Sequence, residues 1–173
     1  MIKKSYNYKN SKKITFAIIG AGKIAEEYIK VIMSNSKEFN LIGISGHKSK
    51  NSKKLSAKYG IKIYKNKIED LLKQDLDIII VAVSIPNLIN VSKKLIKFKG
   101  IILFEKPLGK NYSETKLILN SLNKNKKNCY VALNRRSYQN IEMVYGELKK
   151  DNSKKIITVF NQQDLKLAKK IGH

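Results

Sequence analysis

A glycine-rich segment near the N-terminus is the first place where residue types and spacing could do chemistry. Residues 20–25 read GAGKIA, which matches G-x-G-x-x-G/A, and they lie between an apolar run and a segment with helical spacing. In this context Gly20 permits a tight turn, Gly22 lets the backbone approach a pyrophosphate, and Ala25 allows a helix to pack closely on a sheet. Free backbone N–H groups at the start of that helix would bind the phosphate oxygens. The pattern predicts a dinucleotide site, and a glycine-rich turn without a ligand is the alternative.

The end of the second predicted strand indicates which dinucleotide such a site prefers. An NAD site usually carries Asp or Glu here to bind the ribose 2′-hydroxyl, but no acidic residue lies between Asn40 and Glu69. The segment offers Ser45, His47 and Lys48 instead. Because hydroxyl and cationic groups suit a 2′-phosphate, we favour NADP over NAD. A solvated loop in a lysine-rich chain is the alternative interpretation of His47 and Lys48.

Three further motifs follow predicted strands. They read PN at 86–87, EKP at 105–107 and NRR at 134–136. Ligands of open α/β sheets bind at the carboxyl ends of the strands, so these residues are candidates for the same site. Arg135 and Arg136 are the only arginines among 36 basic residues, which favours a use of the planar guanidinium fork. A salt bridge with a second domain explains the two arginines equally well.

The order of predicted elements places these motifs in a doubly wound fold. Strands are predicted at 14–20, 40–45, 61–64, 77–83, 101–105, 129–133 and 156–160. Helices are predicted between them at 23–35, 51–59, 68–73, 86–98, 111–122 and 137–149, and Asn111 with Glu114 resembles a capping box. The alternation indicates right-handed crossovers and an α/β fold whose parallel sheet is covered on both faces. The first six strands predict a Rossmann sheet with the order 3-2-1-4-5-6.

The four motifs, in this order and at these separations, resemble the Gfo/Idh/MocA oxidoreductases over residues 12–160. The resemblance implies hydride transfer between a nicotinamide and a hydroxyl-bearing carbon of a sugar or cyclitol. It implies that Lys106 contacts the substrate and the nicotinamide ribose and assists proton movement, a role that suits a buried lysine. Glu105 would orient the loop, and Pro107 would follow a cis peptide bond.

Residues on both sides of the predicted crevice are the candidate cofactor contacts, and no metal site is expected. Those from the first two strand ends are Gly20, Gly22, Lys23, Ile24, Ala25, Ser45, His47 and Lys48. Those from the later strand ends are Ser84, Ile85, Pro86, Asn87, Glu105, Lys106, Pro107, Asn134 and Arg135. Asn90 stands where the family often carries a histidine.

The resemblance also divides the chain into three parts. These are a basic tail at 1–12, the Rossmann domain at 13–135, and the start of an incomplete α+β substrate domain at 136–173. The family's second domain supplies the substrate pocket and usually a catalytic histidine, and the sequence stops at His173. We therefore expect a truncated or split gene product that does not complete a catalytic cycle alone. Its apolar strand at 156–160 would pair with another copy or with a split-gene partner.

Composition limits the other function classes. The net charge is +23, but the lysines are spread along the whole chain, so nucleic-acid binding is the less favoured interpretation. The single Cys129 excludes an internal disulfide. No apolar run approaches the roughly 20 residues of a membrane helix, and no signal peptide is recognised, so a cytoplasmic location is expected. A non-catalytic nucleotide sensor with the same fold is the main alternative.

Overall fold

The structure is a computed structural model that describes residues 12–46, 50–65, 68–123, 128–133 and 138–149. The chain divides into two compact units, 1–133 and 134–173. In the first unit the described residues form a sheet with flanking helices. In the second they form one helix, α6 (Gln139–Lys149). The seventh strand predicted at 156–160 lies outside the described residues.

Parallel strands make up the sheet of the first unit. The described strands are β1 (Ile14–Ile19), β2 (Phe39–Gly46), β3 (Ile63–Lys65), β4 (Ile78–Val81), β5 (Ile101–Phe104) and β6 (Cys129–Val131). Their order is β3-β2-β1-β4-β5-β6, and every neighbouring pair is parallel. This arrangement confirms the predicted Rossmann fold and its strand order.

Helices connect the strands as the sequence predicts. They are α1 (Lys23–Ser34), α2 (Lys50–Tyr59), α3 (Ile68–Leu72), α4 (Leu88–Lys94), which a 3-10 helix (Ile85–Asn87) precedes, and α5 (Tyr112–Asn123). The cap predicted for α5 is present, because the Glu114 backbone N–H donates to Asn111 Oδ1 at 3.0 Å. The Glu114 carboxylate reaches back to the Lys110 N–H at 2.9 Å. Among the helices of the described stretches, none combines the length and hydropathy that crossing a membrane requires.

Apolar side chains are buried on both faces of the sheet. Along β1, Ala17 and Ile19 belong to one cluster and Phe16 and Ile18 to the other. The first cluster lies under α3, α4 and α5, and the second lies under α1 and α2. A run of β-branched and apolar residues without alternating polar residues is typical of a strand covered on both sides. This pattern is what makes β1 recognisable in the sequence.

The segment after β4 differs from the prediction of one helix over 86–98. It begins as the 3-10 helix, and α4 ends at Lys94. The Leu95 N–H is shared between the carbonyls of Val91 and Ser92, and a further turn follows to Phe98. Leu95 and Phe98 are nevertheless buried. The apolar spacing therefore continues beyond the helix, and periodicity alone overestimates its length.

A carboxylate joins β1 to the residue that precedes β4. Asp77 Oδ2 accepts hydrogen bonds from the Thr15 backbone N–H and the Thr15 hydroxyl, both at 2.8 Å. These bonds, the backbone N–H first, hold the pKa of Asp77 below its usual range. They fix the amino-terminal edge of the two central strands, so the opposite edge of β1 and β4 is positioned with them.

Replacing Asp77 with Asn is expected to lower the free energy of unfolding at neutral pH by about 1 kcal/mol, because charged hydrogen bonds are lost at an exposed residue. Since the folded pKa is depressed, the carboxylate stabilises the fold above its unfolded pKa of about 4 and loses that contribution as the pH falls through the folded pKa. Urea unfolding at a series of pH values measures both effects. Asp75→Asn, at an exposed pair with Lys12, is the control and should change little. A difference that persists unchanged well below pH 4 would contradict the role of the charge.

Candidate functional site

A cleft of about 820 Å³ opens at the carboxyl edge of β1, β2 and β4. Because β2 and β4 flank β1 on opposite sides, this is the point where the strand order reverses, and ligands of open α/β sheets bind there. The lining residues come from the ends of β1, β2 and β4 and the turns that follow them, from the starts of α2 and α3, and from α4. They are Ile19, Gly20, Ala21, Gly22, Ser45, Gly46, Asn51, Ile68, Ala82, Val83, Ser84, Asn87, Asn90, Val91, Lys93 and Lys94.

Gly20 forms the tight turn that ends β1. Its φ is +131°, a backbone conformation that L side chains rarely adopt, and its N–H donates to the Ser45 carbonyl at 2.7 Å. A Cβ at this position would lie 2.2 Å from the Ala82 carbonyl oxygen. Both the backbone angle and the close approach to β4 therefore require glycine here.

Gly22 has a different reason to be glycine. It is the N-cap of α1 with φ −84° and ψ −177°, an extended conformation that any residue can adopt. A Cβ added here would meet no protein atom within 4 Å. As Gly22 has no side chain to cap α1, the first N–H groups of the helix remain available to a ligand. The space in front of α1 is thus open, and a side chain at Gly22 would fill it.

The last three residues of the glycine motif, Lys23, Ile24 and Ala25, lie outside the cleft lining. Ala25 is fully buried in the cluster that includes Ile18 and Ile29, which is the close helix–sheet packing expected of it. Lys23 and Ile24 are exposed, although Ile24 falls on the apolar periodicity of α1. These three residues form the first turn of α1, and their side chains do not line the cleft.

Two strand ends bring polar groups into the cleft. Ser45 is buried at the end of β2. Ser84 follows β4, and the Asn87 side-chain amide donates to its hydroxyl at 2.9 Å. Between them, Ile85 packs against the core and Pro86 is exposed, so neither lines the cleft. His47, Lys48, Asn134 and Arg135, the other polar candidates, lie outside the described residues.

The EKP loop follows β5, beside β4, and lies outside the cleft lining. The Lys106–Pro107 peptide bond is cis, as expected. Lys106 is exposed in the described part of the chain, so those residues do not supply the burial that its expected role calls for. Glu105 is half-buried, and its Oε2 accepts the Lys106 backbone N–H at 3.2 Å. The orienting role of Glu105 stays a prediction, and this hydrogen bond is the contact through which it would act.

One partner of Glu105 was missed by the sequence reasoning. The Tyr28 hydroxyl on α1 donates to Glu105 Oε1 at 2.6 Å. Burial first, and then the Glu105 carboxylate, raises the pKa of Tyr28 above its ordinary value. The two residues are 77 positions apart, so no local pattern reveals the contact.

Helix α4 adds cleft residues to Asn87, which the sequence analysis proposed. Asn90, Val91 and Lys94 line the cleft 3, 4 and 7 residues after Asn87, which is the spacing of one helix face. Lys94 also pairs with Glu69 of α3 at 3.0 Å, which joins two walls of the cleft. The helical spacing after the PN motif was a usable signal for this face.

Within the described ranges, no three His, Cys, Asp or Glu side chains are grouped to hold a metal ion.

The family can now be assigned. The model of an oxidoreductase family with an NAD-binding Rossmann fold, Gfo/Idh/MocA, matches residues 14–133. The chain belongs to the Gfo/Idh/MocA family. No curated protein sequence is significantly similar to it. The match spans the whole described sheet, the glycine turn and the EKP loop.

Solved structures share this fold. The WlbA dehydrogenase from Bordetella pertussis, in complex with NADH and UDP-GlcNAcA, is 17% identical with a TM-score of 0.71, and the alignment covers 80% of this chain and 42% of that one. For biliverdin reductase from Synechocystis with biliverdin and NADP+, the values are 16%, 0.64, 79% and 43%. For an Agrobacterium radiobacter oxidoreductase with NAD+, L-tartaric acid and magnesium, they are 18%, 0.71, 80% and 41%. The chain thus spans about two fifths of the length of these solved structures.

A methyl group should cost far more stability at Gly20 than at Gly22. Gly20→Ala is expected to destabilise the fold by about 3 kcal/mol or more, because it combines a strained φ with a backbone clash. Gly22→Ala places its Cβ in open space and should cost about 1 kcal/mol or less, the usual loss at an N-cap. Urea unfolding followed by circular dichroism compares the two variants. Equal losses of stability would contradict the assignment of Gly20 to the fold and Gly22 to the ligand.

Proposed function

We propose that the cleft binds NADP in preference to NAD, and that this chain forms the cofactor-binding part of an oxidoreductase. The reaction proposed is hydride transfer between the nicotinamide and a hydroxyl-bearing carbon of a sugar or cyclitol. The observation that supports cofactor binding most strongly is the open space at Gly22, directly before the uncapped start of α1. A pyrophosphate fits there because backbone N–H groups and the helix dipole favour an anion.

The size and chemistry of the cleft agree with a dinucleotide. Its volume of about 820 Å³ lies in the range of small-molecule sites. The lining combines apolar side chains, such as Ile19 and Val91, with the polar groups of Ser45, Ser84 and Asn87. We expect Ser45, with His47 and Lys48, to contact the adenosine ribose, and Ser84 with Asn87 to contact the cofactor from the other wall.

We propose that the residues after β5 act at the nicotinamide end of the cofactor, where the hydride is transferred. When bound, the nicotinamide ring donates or accepts the hydride. The Lys106 amino group would bind the reacting hydroxyl, taking its proton as the neutral amine when the carbon is oxidised and returning it as the ammonium when the carbonyl is reduced. Glu105 would hold the Lys106 peptide in place. Asn134 and Arg135 are proposed to complete this end of the site. We propose residues 13–135 as the cofactor domain and 136–173 as the start of the substrate domain.

A sugar-like substrate is supported by the family and by one structural relative. The WlbA dehydrogenase of similar fold is bound to UDP-GlcNAcA, a sugar nucleotide. The biliverdin reductase shares the fold with a very different substrate. Substrate class therefore depends on residues other than the shared Rossmann core, and the EKP motif is the feature of this chain that favours hydroxyl chemistry.

Gly22→Val is expected to weaken binding of NADP and NAD by about 10- to 100-fold, because the side chain would occupy the pyrophosphate space and remove charge-assisted hydrogen bonds. Calorimetric titration of each variant with both dinucleotides measures the loss. Gly146→Val in α6 is the control, since a Cβ there also meets no protein atom within 4 Å. If Gly22→Val bound both dinucleotides as tightly as the wild type, the cleft would not be the cofactor site.

The preference for NADP is tested at the end of β2. The double variant His47→Asp with Lys48→Glu should raise the ratio of the NADP to the NAD dissociation constant by about tenfold, because negative charge would repel the 2′-phosphate. Lys53→Glu with Lys54→Gln changes the net charge equally at exposed positions of α2 outside the cleft lining, and it serves as the control. An unchanged ratio in the first variant would make residues 47–48 a solvated loop.

A further inference from the structure

Tyr28 connects the two ends of the proposed site. It lies on α1, six residues after Gly22, and its half-buried ring packs against the apolar cluster under α1 and α2. Packing of the ring restricts where the hydroxyl can reach. The hydroxyl is therefore held at a defined place relative to the start of α1.

Both oxygens of the Glu105 carboxylate accept hydrogen bonds, one from Tyr28 and one from the Lys106 backbone. Oε1 accepts the Tyr28 hydroxyl at 2.6 Å, and Oε2 accepts the Lys106 backbone N–H at 3.2 Å. One carboxylate thus joins the helix that begins at the pyrophosphate space to the peptide of the proposed catalytic lysine. The side chain of Lys106 is exposed and makes no hydrogen bond or ion pair among the described residues, so its backbone is the part that is fixed.

The hydroxyl of Tyr28 remains a hydrogen-bond donor at physiological pH. Burial and the neighbouring carboxylate raise its pKa, so the phenol stays protonated throughout the physiological range. A short hydrogen bond to an ionised carboxylate is among the stronger kinds in proteins. Phenylalanine at this position would keep the packed ring but leave Glu105 Oε1 without this donor.

We propose that Tyr28 is a positioning residue, which acts through Glu105 to set the position of Lys106 relative to the cofactor turn at Gly22. The inference rests on the proposed cofactor site. Tyr28 itself need not touch the cofactor. Its effect should be confined to the nicotinamide half, because the adenosine half is bound by other strand ends.

Tyr59 provides a matched control. It is a second half-buried tyrosine on the same side of the sheet, and its hydroxyl donates to Glu26 Oε1 at 2.9 Å. This pair joins α2 to α1, and neither residue lines the cleft or contacts the EKP loop. Tyr59→Phe therefore removes the same kind of hydrogen bond without breaking the connection to Lys106.

The test compares Tyr28→Phe, Tyr59→Phe and the wild type by calorimetric titration with NADPH and with 2′,5′-ADP, which lacks the nicotinamide half. We expect Tyr28→Phe to weaken NADPH binding about fivefold, from partial loss of a charged hydrogen bond, and to leave 2′,5′-ADP binding unchanged. The nicotinamide fluorescence of bound NADPH should change with it. Tyr59→Phe should alter none of these quantities.

Amide hydrogen exchange gives a readout that needs no ligand. The Lys106 N–H should exchange faster in Tyr28→Phe than in the wild type or in Tyr59→Phe. Unchanged NADPH affinity and unchanged exchange at Lys106 would overturn the proposal, and so would an equal loss of affinity for NADPH and 2′,5′-ADP. If the wild type bound neither ligand, the proposed function would fail, whereas faster exchange at Lys106 would still support the link from Tyr28.

Discussion

The close approach of Gly20 to the Ala82 carbonyl determines where the rest of the site can form. A Cβ at position 20 would lie 2.2 Å from that oxygen, so only a residue without a side chain lets β1 end so near β4. The chain then reaches Gly22 within two residues and begins α1 at the carboxyl edge of the sheet. Ala25, fully buried, lets the helix pack close to β1. The open space before α1 is a consequence of this turn rather than an independent feature.

Burial on both faces of the parallel sheet supplies the rigidity on which the turn depends. The ion pairs of the described ranges lie at the surface, where such pairs contribute little to the stability of the fold, although the net charge is +23. Within the described ranges, two hydrogen-bonded carboxylates join separate elements at opposite edges of the sheet. Asp77 joins the central strands at one edge, and Glu105 joins α1 to the EKP loop at the other. The lysine-rich surface is compatible with a site built from glycine, hydroxyl and amide groups.

Local patterns in the sequence were sufficient for the glycine turn and the cap of α5, since neighbouring residues determine both. The strand order followed from the alternation of strands and helices and from the rules for parallel crossovers. They were insufficient for the end of α4, because Leu95 and Phe98 keep the apolar spacing after the helix has stopped. The Tyr28–Glu105 bond and the positions of Asn51 and Ile68 in the cleft lining depend on how elements distant in the sequence pack together. Tertiary contacts of this kind leave no signature in a short window of sequence.

The central claim is that the cleft at the carboxyl edge of β1, β2 and β4 binds a nicotinamide dinucleotide. Backbone amide NMR spectra recorded during a titration with NADP test it most directly. The account predicts saturable shifts at Gly20, Gly22, Ser45 and Ser84 that survive a moderate rise in salt, with no change on the outer face of α5 around Lys116. Absence of shifts, or shifts spread over the surface lysines that disappear with salt, would contradict it and would favour a non-specific anion-binding surface.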